Sequence, residues 1–186
     1  ISSNCTVSAY NEDAFFDNFV TDLKQYQEKR FTLRVLLHNG TNYAHYWAGV
    51  IMQDLVTVED THKPYVFSIT AVDGIGSLAN IPYESVDNVT IESFIESAVG
   101  AIGLDELYLS NDNFYSTVVN IWDTQQTYSA TTDVTTLTRF SALVYSEKQE
   151  DGTVTYSNYL EILKELCIAF GARFYQKDGV FTFEQY

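Results

Sequence analysis

Apolar residues at Phe15, Phe16, Phe19, Val20, Leu23 and Tyr26 recur in steps of three and four. That spacing predicts an amphipathic helix over residues 12–26, with Asn11 as a possible cap. From residue 31 the pattern shortens. Residues 31–37 have strand composition and partial alternation, and Asn39-Gly40 is a strong hairpin signal. Residues 46–52 then read as the return strand, with Trp47, Gly49 and Ile51 on one side. Residues 65–72 form an almost continuously apolar third strand, which runs into Asp73-Gly74 and a short helical turn through Leu78 before Pro82 stops it.

The second half repeats the mixture. Thr90 can cap a helix to Ile102 whose inner face is Ile91, Phe94, Ile95, Ala98, Val99 and Ile102. Residues 115–122 and 136–146 read as strands flanking a polar Thr/Gln/Ser stretch. A helix over 158–170 carries Tyr159, Ile162, Leu163, Leu166 and Phe170 on one stripe and stops at Gly171. A hairpin tipped by Asp178-Gly179 closes the chain. Strands in runs, broken by isolated helices, predict an α+β fold: strand-rich, with antiparallel sheets or small barrels and a few amphipathic helices. The domain boundary is placed at Asp87-Asn88. It separates a β-rich domain with an N-terminal helix (1–87) from an α+β domain that ends in a helix and β-hairpin (88–186).

Composition supports strands and a real core: 46% of the residues are hydrophobic, with 14 Tyr, 12 Phe and only 2 Pro. The formal net charge of −15, with just 10 Lys and Arg, argues against stable nucleic-acid binding, which needs clustered cations. The longest apolar run, residues 98–104, falls far short of the roughly 20 residues of a membrane span. Two cysteines, Cys5 and Cys167, are too few for a disulfide framework, and Cys167 is expected to be a buried thiol on a helix stripe. The chain opens at Ile1 and closes inside a strand-like run, so it is expected to be a segment of a longer polypeptide.

Candidate chemistry is sparse. Gly74-Ile-Gly76-Ser-Leu-Ala79 fits the G-x-G-x-x-A dinucleotide fingerprint after a strand, but Pro82 leaves no room for the long helix that would face a pyrophosphate. His38, His45 and His62 lack metal-site spacing, and Asn111-Asp112-Asn113 lacks the Gly and Glu of a calcium loop. Asp54 with Asp60, or Glu92 with Glu96, could serve as a carboxylate pair, but solvated charge is the simpler reading. Asn4, Asn39 and Asn88 begin glycosylation sequons, which matter only in a secreted eukaryotic protein. Tyr43, Tyr46 and Trp47 could form a sugar-binding platform, although a strand Trp two residues before a Gly more often packs beneath another backbone. The expectation is a protein without enzymatic activity or cofactor.

Three features in order carry a resemblance. They are Trp47-Ala-Gly49-Val-Ile51 followed by acidic residues, Val66-Phe-Ser-Ile-Thr-Ala71-Val-Asp73-Gly74-Ile75 followed by Leu and Pro82-Tyr83, and the closing helix-hairpin from Tyr159 through Phe170, Gly171 and Gln176 to Gly179. Together they resemble tailed-bacteriophage tail-tip or baseplate-hub proteins, especially those of phages and prophages of Bacteroidetes-like hosts. The chain departs from that pattern at Ile75, where Leu is expected, and at Phe181, where Trp is expected; both keep apolar character.

The resemblance implies a structural virion protein, assembled in the host cytoplasm as a trimer with other tail proteins. Such a subunit continues the tail tube and holds the central fibre or spike, and an acidic lumen would let DNA pass without sticking. In that setting Trp47, Gly49, Asp73, Gly74, Phe170, Gly171, Gln176 and Gly179 are structural markers. The alternatives are a glycan- or receptor-binding module of a tail protein and a hub-linked cell-wall hydrolase domain.

Overall fold

The computed structural model describes residues 3–12, 14–25, 31–58, 64–85, 87–104, 115–118 and 134–186. Contacts group the chain into two units, Ser2–Gly74 and Ile75–Tyr186. The segment 75–87, expected at the end of the first domain, therefore sits with the second unit. The reason is packing: Ile75, Leu78 and Tyr83 are buried there, and Tyr83 meets Phe94 and Tyr159 edge-on, with ring centroids 5.1 and 5.0 Å apart.

In the first unit the chain runs β1 (Asn4–Asn11), α1 (Ala14–Gln25), β2 (Thr32–His38), β3 (Tyr43–Val58) and β4 (Tyr65–Val72). The strands form one antiparallel sheet in the order β1-β4-β3-β2, in which three hairpin-linked strands are joined by the first strand at one edge. One face is apolar. Val20 and Leu23 of α1 cover Trp47, Ile51, Phe67, Ile69 and Ala71. The nearly continuous apolar run of β4 thus resolves into alternation: Phe67, Ile69 and Ala71 turn inward. On the other face Ser68 and Thr70 bond Ser8 and Thr6 of β1 through their hydroxyls, at 2.6 and 3.0 Å.

β1 lies in a stretch from which no strand was expected. Its alternation is written in small residues, Thr6-Val-Ser-Ala9, whose pattern contrast is weak. It also displaces the expected cap. Asn11 ends β1 as a fully buried side chain that donates to Asp17 Oδ1 at 2.7 Å and to the Tyr65 hydroxyl. The Asn39-Gly40 turn forms as expected: Gly40 has φ 93°, and Asn39 Oδ1 accepts from the Thr41 and Asn42 amides.

The second unit contains β5 (Asn88–Thr90), α2 (Ile91–Ile102), β6 (Tyr115–Val118), α3 (Val134–Leu137), β7 (Arg139–Ser141), β8 (Ser146–Lys148), β9 (Val154–Tyr156), α4 (Tyr159–Phe170), β10 (Ala172–Lys177) and β11 (Val180–Gln185). Thr90 caps α2 by accepting from the Ser93 amide, and the six residues of the expected inner face are all buried. Asn158 and Glu161 form a capping box on α4, and Gly171 ends it in the left-handed region with φ 54°. Asp178 and Gly179 both take positive φ, which closes the β10–β11 hairpin in two residues. β11 pairs with β6 in parallel, so this sheet is mixed.

The expected strand over 136–146 breaks into α3, β7, a 3-10 turn (Ala142–Tyr145) and β8. Its β-branched composition suits a strand, but among the described residues β7 pairs only with the three-residue β5. Beyond residue 118 the other expected strand, 115–122, lies outside the described residues, as does the calcium-like Asn111-Asp112-Asn113. No helix of the described residues is long and apolar enough to cross a membrane.

Candidate functional site

Four sequence markers converge in the first unit. β3 and β4 are adjacent, so Trp47, Gly49, Asp73 and Gly74 meet at one corner of the sheet. Trp47 is 9% exposed, and its indole Nε1 donates to Ser3 Oγ at 3.0 Å. Ser3 Oγ in turn donates to Asp73 Oδ2 at 2.8 Å, and the Ser3 amide donates to the same oxygen. The Asp73 amide donates back to the Ser3 carbonyl at 3.1 Å. Asp73 itself is fully buried.

This relay of indole, hydroxyl and carboxylate ties the entry of β1 to the exit of β4. Its chemistry is that of a structural latch, because each donor already has its acceptor. Gly74 needs its φ of 79°, whereas Gly76 adopts no such conformation. Residues 75–80 form a 3-10 turn of 6 residues, too short to act as the dinucleotide helix. Ser3 escaped the sequence reading because nothing in its neighbourhood marks it as a partner for residues 44 and 70 positions away. Asp73→Ala is expected to destabilise the fold by about 2 kcal/mol, since it strands the half-buried Ser3 donors and the Trp47 indole they anchor. Urea unfolding followed by intrinsic fluorescence would measure it.

Trp47 cannot serve a sugar platform, being buried in this latch. Tyr43 and Tyr46 are exposed, as are Leu36 and Leu37 on the same hairpin. His38 packs on the Tyr43 ring at 4.8 Å, and β2–β3 register sets His45 opposite Leu36. His62 and Asp60 lie outside the described residues. Among those described, no three His, Cys, Asp or Glu side chains come together. Glu92 and Glu96 stand one turn apart on α2, away from its buried face.

The other four markers lie in the closing helix-hairpin of the second unit. The Phe170 and Phe183 rings meet at 6.2 Å, Gly171 ends α4, Gln176 pairs across to Phe181, and Gly179 makes the turn. Here the structure adds a groove of about 370 Å³ that the sequence did not announce. Leu160, Leu163, Lys164, Cys167 and Ile168 of α4 form one wall; Ala172, Arg173 and Phe174 of β10, with Ile75 and Tyr186, form the rest.

Cys167 is half-buried in this wall, not buried on the core stripe as expected. Burial pushes its thiol up to about 11, so it holds little reactive thiolate at neutral pH. Arg173 is engaged by Glu184 at 2.9 Å and lies over the Tyr175 and Tyr186 rings. The hydrogen bond from Tyr175, then that from Arg173, brings the Glu184 carboxyl down to about 2. Lys164 has no ion-pair partner among the described residues, so the groove offers an apolar floor beside one free ammonium.

No protein-family model matches the chain, and no curated protein matches it. Among solved structures it is similar to the 43 kDa tail protein of prophage MuSo2 from Shewanella oneidensis, with a TM-score of 0.43 and 11% identity over 99% of this chain. The chain spans 46% of that protein's length.

Proposed function

We propose that this chain is a structural subunit of a phage tail tip or baseplate hub, acting by protein–protein contact and not by catalysis. In this reading it is a trimer in the virion tail, continues the tail tube and contacts other tail proteins. The observation that carries the reading is the edge position of β1, whose outer side pairs with no strand among the described residues. Eight consecutive residues, Asn4–Asn11, pair with β4 without a bulge, and none is charged, Pro or Gly. Natural sheets usually protect such an edge with charge, Pro or a bulge, because its outer backbone groups template another strand. The opposite edge, β2, has both Arg34 and a register shift between Val35 and Leu36. An unprotected edge in a chain of net charge −15 suits a strand that is covered on assembly. The ordered sequence markers described above point to the same family.

Light scattering over a range of concentrations tests this. A trimer is expected, with three-fold particles in electron micrographs. The pair Thr6→Lys and Ser8→Lys should shift the population to folded monomer, because edge lysines block strand addition. A wild-type chain that stays monomeric at every concentration would end the hub reading.

A further inference from the structure

Two surfaces of the second unit are unmatched among the described residues. One is the groove of α4 and β10, with its apolar floor and the unpaired Lys164. The other is the 3-10 turn and hairpin formed by residues 142–156. There Leu143 and Val144 are exposed, Val144 by 77%, and Val154, Glu147, Glu150 and Asp151 are exposed beside them. Apolar groups next to acids face outward on one surface, and an apolar hollow next to a cation on the other. α4 and β10 carry Lys164, Arg173 and Lys177 beside Glu161 and Glu165, with Arg173 and Lys177 already engaged by Glu184, whereas the hairpin carries Glu147, Glu150 and Asp151 beside Lys148.

The two surfaces cannot meet within one chain. The groove uses α4 positions 160, 163, 164, 167 and 168, whereas Tyr145 of the turn hydrogen-bonds Glu165. At about 100° per residue, Glu165 projects about 130° around the helix from the centre of the groove-lining positions. The surfaces therefore lie on different sides of α4.

We infer that the groove receives the Leu143–Val144 turn of a second copy of this chain, with the acids of its hairpin set against Lys164. This rests on the self-assembly proposed above and deepens it, by naming a head-to-tail contact. Such a heterologous contact closes into a ring when its rotation permits, as a trimer requires. Leu143 and Val144 supply apolar area, Ile168 at 81% exposure is buried on docking, and complementary charge sets the register.

The test places a photoreactive group at the turn. Val144→Cys, on a background with Cys5→Ser and Cys167→Ala, is labelled with a benzophenone maleimide and irradiated as a mixture of isotopically light and heavy chains. The expected product joins residue 144 of one copy to the Leu160–Phe174 segment of another. Independently, Ile168→Glu should weaken association about tenfold or more while the monomer stays folded, because residue 168 is solvent-facing in the single chain. If the chains remain trimeric but the crosslinks fall elsewhere, join two 144 positions or stay within one chain, the groove contact is wrong and the hub reading survives. If Ile168→Glu leaves the trimer intact, the groove contact is equally overturned. A monomeric wild-type chain removes both.

Discussion

Replacing Phe94 by Ala is expected to cost about 4 kcal/mol, the largest single-residue loss in the second unit. Phe94 is fully buried on α2 and joins three aromatic rings: Tyr83 at 5.1 Å, Phe140 at 5.6 Å and Tyr159 at 5.7 Å between centroids. Those rings come from the loop after Pro82, from β7 and from the first turn of α4. Truncation therefore opens a cavity among elements distant in sequence, and their backbones are already tied. The Tyr83 amide donates to the Ser157 carbonyl, and the Tyr159 amide to Ile81. A wall held by such bonds collapses poorly, which puts the loss towards the high end for Phe. Urea denaturation should show a lower midpoint at unchanged slope, whereas Phe94→Leu should recover most of the difference. A loss under about 1 kcal/mol would show that the ring cluster is far more plastic than its packing implies.

Gly49→Ala is expected to cost about 3 kcal/mol for the opposite reason, overpacking. A methyl group at residue 49 would fall on the six-membered ring of Trp47 and 2.5 Å from the Val72 carbonyl oxygen. The carbonyl belongs to a paired strand, and the indole is held by its bond to Ser3, so neither can yield cheaply. Gly76→Ala is the internal control, with open space around the added methyl group, and it should be neutral or slightly stabilising. Thermal unfolding of the two variants side by side separates a glycine that the packing demands from one that the dinucleotide-like pattern merely suggested. Equal effects would contradict the account of the Trp47 corner.

The sequence alone determined those elements whose signals are local. The α2 face was legible because six apolar residues at helical spacing outweigh any tertiary preference, and the end of α4 was legible because Gly171 can adopt the left-handed region at no steric cost. Hairpin tips at Asn39-Gly40 and Asp178-Gly179 were visible for the same reason.

Only tertiary structure decided what depends on partners far along the chain. β1 is a strand because β4 offers it eight pairs, a fact that no short window contains. Residues 136–146 are not one strand, and among the described residues only three of them pair with β5. Asn11 became a buried bridge to Asp17 and Tyr65 in place of a helix cap, and Trp47 became the donor of a latch to Ser3. The groove had no sequence signal at all. Leu160, Lys164 and Ile168 read as the outer side of an ordinary helix, and they become one wall of a hollow only when β10 and Ile75 supply the other. Local pattern reports which face of an element is apolar; what that face meets is set by the long-range pairing that folding has to find.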